Sequence, residues 1–155
     1  MTSRLIIGLI VSVLIGSVSS TVSAASDPTN FLFRKLSFSS AENDQLFRKT
    51  IDEVDALEFE EAGANSNSLV TNVEADNRID GLTFARVLAN AAIIYAQLEQ
   101  PEVALELLNR SVSLVEEESV FHEDIYPLMM VKAQILIKQG KLAEAIDQLR
   151  RAQHI

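Results

Sequence analysis

One residue pattern occurs twice in the second half of the chain, and it leaves few folds open. Leu88, Ala91, Ala92, Tyr95, Ala104 and Leu108 carry it first; Met129, Lys132, Ala133, Leu136, Ala145 and Leu149 repeat it 41 positions on. A large residue, a small one four positions later and a large one after three more place one stripe on a helix face. An alanine and a large residue four further on begin a second stripe, so each copy reads as two antiparallel helices meeting through small side chains. No catalytic group belongs to the pattern.

This spacing resembles the tetratricopeptide repeat (TPR), over about 85–118 and 126–155. The second helices agree in kind: Ala104-Leu105-Glu106 corresponds to Ala145-Ile146-Asp147, and Arg110 to Arg151. Leu88 and Met129 stand where the family has tryptophan, Lys132 fills an ordinarily apolar place, and Glu116 stands where a proline usually ends the repeat. The period exceeds the family's usual ~34 residues. Seven extra residues are almost two helical turns, enough to lengthen both helices without changing how repeats stack. Lys132 is accommodated if its methylene stem crosses apolar surface while the ammonium stays in water.

The resemblance implies an all-α fold: antiparallel helical hairpins stacked as a short, right-handed TPR-like α-solenoid, here behind an N-terminal leading helix. It also implies non-catalytic protein binding through a groove lined by the first helix of each repeat. The groove positions are Ala89, Ile93, Ala96 and Gln97, then Met130, Gln134, Ile137 and Lys138. Ala89 and Ile93 replace the polar residues with which some members clamp a peptide carboxylate, so an apolar peptide or helix is the expected ligand.

The N-terminus carries an address. Arg4 precedes an apolar run from Leu5 to about Val18, and Val22-Ser23-Ala24 ends in small residues. That is the form of a secretory signal peptide cleaved after Ala24. The run is shorter than the roughly 20 residues a bilayer requires and is interrupted by Gly8, Ser12 and Gly16, so no stable membrane insertion is expected after cleavage. The chain has no cysteine, which fits export to a bacterial periplasm better than a disulfide-stapled secreted domain. Formal charge is −9, and losing Arg4 makes it more negative still. Such a surface disfavours nucleic acid and anionic lipid.

Residues 25–40 form a tether and hydrophobic lead-in, with three of the seven phenylalanines at Phe31, Phe33 and Phe38. The lead-in is expected to pack on the first helix and cover one end of the stack; a docking strip for a partner is the alternative. The helical domain spans 41–155. Ser39 and Glu42 have the form of a capping box, which predicts a first helix over about 41–62 with Leu46, Thr50, Val54 and Leu57 on one face. Gly63, Asn65 and Asn67 are expected to end it, leaving 66–81 as a connector. Asp80 then caps a helix to about Leu98, and Pro101 opens the next, which continues through Glu116-Glu117-Glu118. Asp124 caps another to Gln139, and Gly140-Lys141 turns into a last helix burying Leu142, Ala145, Ile146 and Leu149.

Other chemistry finds no support in the residues. His122 beside Glu123 and Asp124 does not converge on one metal ion without a distant ligand. Ser119 and His122 lack an orienting third group and an oxyanion hole. The acidic runs at 52–55, 58–61 and 116–118 read as solvated helix faces. No enzyme activity, metal or cofactor is therefore expected. Two other readings remain: self-association, because two repeats fall short of the three or so that a stable stack needs, and a small-ligand carrier in a helical bundle.

Overall fold

Six α-helices follow one another in the computed structural model, which describes residues 27–119 and 122–154. They are α1 (Ala41–Asp55), α2 (Phe59–Ala75), α3 (Gly81–Gln97), α4 (Pro101–Glu118), α5 (Ile125–Lys138) and α6 (Leu142–Ala152). The fold is all-α, with no strand among the described residues. The expected signal peptide, 1–24, lies outside them. No helix of the described residues is long and apolar enough to cross a membrane.

The helices pack chiefly in sequential pairs, α1 with α2, α3 with α4 and α5 with α6. The three pairs share one turn. Each connection is three residues long, and its middle residue has the left-handed backbone: Leu57 at φ 62, Glu99 at φ 55 and Gly140 at φ 74. The amide after each returns to the carbonyl five residues back, Glu58 to Glu53, Gln100 to Tyr95 and Lys141 to Leu136. Those bonds satisfy carbonyls that a helix end would otherwise leave unpaired. The fourth residue of each following helix, Ala62, Ala104 and Ala145, is a fully buried alanine. The turn and the buried alanine after it thus occur three times, although Ser66 stands in the first pair where Leu108 and Leu149 stand in the other two.

Two expectations fail in the first pair. The single helix over 41–62 is instead broken at 56–58, and the segment expected to connect, 66–81, is helical as far as Ala75. Gly63 lies within α2 and does not end a helix; a Cβ there would stand 2.9 Å from Leu98 Cδ1, so it sits where α2 meets the end of α3. The polar residues that read as a loop tie α2 to α1. Asn65 donates to both Glu53 carboxylate oxygens (2.8 and 2.7 Å), and Asn72 donates to Asn43 (3.1 Å). Glu53 is therefore buried and bonded, against its reading as part of a solvated run, while Leu57, expected inside, is 74% exposed.

Caps are mostly where the residue types place them. Ser40, one residue after the expected Ser39, caps α1 by accepting from Asn43 N–H, and Asp80 caps α3 by accepting from Thr83 N–H at 2.8 Å. Pro101 is the first residue of α4. Asp124 stands at the start of α5 but makes no capping bond; its carboxylate instead accepts from Arg86 Nε at 2.7 Å.

The largest apolar cluster runs through α3, α4 and α5, with Leu88 in a second cluster alongside Phe38, Phe47 and Val70. Ala92 and Ala104 are completely buried, as are Ala133 and Ala145 but for a sliver, which gives the close approach that the small-residue spacing requires. Lys132 is half-buried, and burial, then the neighbouring Arg151 charge, lowers its pKa. At the far end the core thins. On α6 only Ala145, Gln148 and Ala152 are buried; Leu142 and Ile146, expected inside, are 58% and 50% exposed.

Candidate functional site

The residues before α1 do not stop at the first helix. They form a strap that runs across the first helix of all three pairs. Asp27 caps a 3-10 turn over Pro28–Phe31 through Thr29 N–H, after which the chain leaves extended at Leu32 and runs without helix or strand to the bend at Ser39. Asp27 also accepts from Gln97 at the end of α3 (3.1 Å), and Pro28 lies beside Ala96 of α3 and Ile135 of α5. Phe38 N–H donates to Asp44 on α1 (2.8 Å), and its ring meets Phe47 edge-on at 5.8 Å. The lead-in therefore covers a face shared by α1, α3 and α5, which neither packing on the first helix alone nor capping one end describes.

The centre of the strap is held by its main chain. Asn90, on α3 and 4% exposed, accepts from Phe33 N–H at 2.8 Å and donates to Phe33 C=O at 2.9 Å. A buried side-chain amide must find such partners or lose the hydrogen bonds it made to water, and the extended strap supplies both. Leu32 beside it is buried in the central cluster that also contains Ala89 and Ile93. Burying one leucine is worth roughly 1.5–3 kcal/mol, so Leu32 anchors the centre of the strap as the equally buried Phe38 anchors its end.

Charge brackets the same point. The Arg86 guanidinium lies 5.7 Å from the Phe33 ring centre and is fixed by its ion pair with Asp124. The hydrogen bond to Asp124 raises Arg86 above its ordinary pKa, against the opposing effect of partial burial. Arg34 makes two bonds to Asp55 at the end of α1 (3.0 and 2.9 Å), which hold that carboxylate below its usual pKa. Both partners are exposed, so this pair contributes orientation more than stability.

The expected groove residues divide into three sets. Ala89 and Ile93 are buried beneath the strap side of α3, and Ala96 and Gln97 lie at its rim. Gln134 and Lys138 join Ala96, Pro28, Glu99, Pro101, Ile135 and Gln139 around a cleft of about 340 Å³ between the ends of α3 and α5. Met130 packs partly against the central cluster and Ile137 partly against the small one near α6, so neither lines that cleft. The sequence marks the lead-in but not its course across α1, α3 and α5, nor the parts of Arg86, Asn90 and Asp55 in holding it. The clustering of Phe31, Phe33 and Phe38 is the signal that marks the lead-in.

Among the described residues no group of three or more side chains converges as metal ligands. His122 Nδ1 accepts from Asp124 N–H at 3.1 Å, which ties it into the start of α5. Comparison of the chain with protein-family models, with curated proteins and with solved structures finds no match.

Proposed function

We propose that the chain is a non-catalytic protein-binding module of TPR-like, solenoidal architecture, exported to a bacterial periplasm, whose partner docks on the face shared by α1, α3 and α5. The observation that supports it most is the hold of Asn90 on the Phe33 main chain. A surface that satisfies both main-chain groups of an extended segment, beside an apolar anchor, has the chemistry of peptide recognition. The resemblance, the three matching turns and the acidic charge point the same way. Signal cleavage after Ala24 delivers the mature chain.

The test is site-specific photo-crosslinking in cells. A crosslinker replacing Lys138, at the cleft, is expected to capture a discrete partner, whereas one replacing Glu60, on the exposed face of α2, captures none. Equal labelling from both positions, or none from either, rejects the groove as the partner surface.

A second reading has its own observation. Leu142 and Ile146, four residues apart on α6, form an exposed apolar stripe. Self-association through α6 buries that stripe. A concentration-independent monomer in solution, unaltered by Ile146→Glu, rejects it.

A further inference from the structure

The strap is the one ligand for which the groove's complementarity is visible. It is neither helix nor strand through 32–38, leaves the 3-10 turn with Leu32 extended, and makes its central contact by main chain to a buried amide, which carries no sequence information. Specificity comes from the neighbours: Leu32 in the apolar cluster, Phe33 against the Arg86 guanidinium, Arg34 on Asp55. From Asp27 to Phe38 the chain carries Arg34 and Lys35 against the one acid Asp27, a formal charge of +1 within a protein of net charge −9. The strap is thus a basic segment on an acidic body, and Asp44 and Asp55 meet it at two places. Among the described residues part of the groove stays uncovered, because the 3-10 turn at Pro28–Phe31 reaches only the edge of the cleft formed by Ala96, Ile135 and Lys138.

We propose that Asp27–Phe38 is a cis-bound occupant of a peptide site, displaced by a partner protein that presents an extended segment of the same chemistry. This inference rests on the binding reading above. The partner segment carries a large apolar residue, an aromatic and an arginine in succession, with the aromatic's N–H and C=O paired to Asn90. Extended chain N-terminal to those three enters the cleft that the strap leaves open. Tethering gives the strap an effective concentration on the order of millimolar, so a free peptide competes at a disadvantage set by the fraction of time the strap is closed.

The probe is a fluorescent synthetic peptide with the sequence of residues 27–38, titrated by anisotropy into the full chain. Wild type is expected to bind it weakly. A chain with Leu32→Ser and Phe33→Ser, whose strap no longer anchors, is expected to bind about tenfold tighter or better. Adding Asn90→Ala to that chain is expected to remove about tenfold again, the loss expected when a buried main-chain contact goes. A charge exchange tests register: Asp55→Arg is expected to prefer the peptide in which its Arg34 is changed to Asp.

Circular dichroism checks that each chain retains its helices. If the double variant does not, Arg34→Asp in the chain, which alters only an exposed pair, takes its place with a smaller gain of a few-fold. Equal affinity for wild type and the folded strap variant overturns the cis occupancy. Affinity unmoved by Asn90→Ala overturns Asn90 as the main-chain reader. A wild-type dimer that exchanges straps between copies overturns the partner assignment in favour of a second copy. If Lys138 crosslinks a cellular partner while the peptide fails, only this inference falls; if neither binds, the groove reading falls with it.

Discussion

Asn90 and Phe33 stand 57 positions apart and exchange two hydrogen bonds, one into and one out of the Asn90 amide, at 2.8 and 2.9 Å. A single side chain on α3 thereby holds the centre of the strap, between the contacts of Asp27 with Gln97 and of Phe38 with Asp44. Asn90→Ala leaves the Phe33 N–H and C=O to find water in a half-buried place, and a cost of about 1–3 kcal/mol is expected. Asn90→Asp keeps the acceptor but sets a buried carboxylate oxygen against the Phe33 carbonyl, so at pH 7 its urea midpoint is expected to fall at or below that of the alanine variant.

Leu57 holds φ 62 in the first turn, where the third turn has Gly140 at φ 74. A β-carbon in the left-handed region costs roughly 1–2 kcal/mol, and Leu57, 74% exposed, regains little of that by packing. Leu57→Gly is therefore expected to stabilise the chain, by about 0.5–1 kcal/mol once the extra freedom of glycine in the unfolded state is subtracted. Gly140→Leu is expected to destabilise by a similar amount. Thermal melts of the pair check both signs.

Gly63 faces Leu98, and the added Cβ of an alanine crowds the movable end of that side chain at 2.9 Å while touching Ile94 Cγ2 at an ordinary 3.8 Å. Alanine also gains about 1 kcal/mol of helix propensity over glycine. Gly63→Ala is expected to lie within about 1 kcal/mol of wild type in a denaturant titration. Gly63→Ile, which brings bulk that Leu98 cannot evade, is expected to lose about 1–3 kcal/mol.

Asp80 accepts from the backbone and hydroxyl of Thr83, and these bonds lower its pKa, the backbone bond most. A carboxylate with a depressed folded pKa stabilises the fold above its unfolded pKa of about 3.9, and that contribution is lost as pH falls through the folded value. Asp80→Ala is expected to cost about 1 kcal/mol at pH 7. The difference between wild type and Asp80→Ala is expected to shrink below about pH 4, whereas Asp80→Asn, which caps without charge, shows no such narrowing.

The sequence makes α3 to α6 readable because Ala92, Ala104, Ala133 and Ala145 mark the helix contacts with small side chains and Gly140 marks a turn. The first pair hides for a converse reason. Its turn, Ala56-Leu57-Glu58, contains no glycine, proline or asparagine, although Leu57 takes the backbone that Gly140 takes. The residues that do signal a break, Gly63, Asn65 and Asn67, lie inside α2, where Gly63 meets Leu98 and Asn65 bonds Glu53. Ala62 repeats Ala104 and Ala145, but beside a glycine and two asparagines its signal is masked. The groove was legible only in part. The resemblance implied that Ala89 and Ile93 face a groove, whereas the structure buries both in the core, and no local pattern relates Asn90 or Arg86 to a strap more than 50 residues earlier.

The most direct test of the account uses the absence of cysteine, which lets a pair of introduced cysteines carry spin labels without background. Labels at Lys35 on the strap and Glu74 on α2, measured by double electron–electron resonance in the full chain, report whether the strap lies on its groove. A single narrow distance is expected for the free chain. Excess peptide of residues 27–38 is expected to convert it to a broad, longer distribution as the strap is displaced. A narrow distance that persists while the peptide is bound contradicts the groove as a peptide site closed in cis.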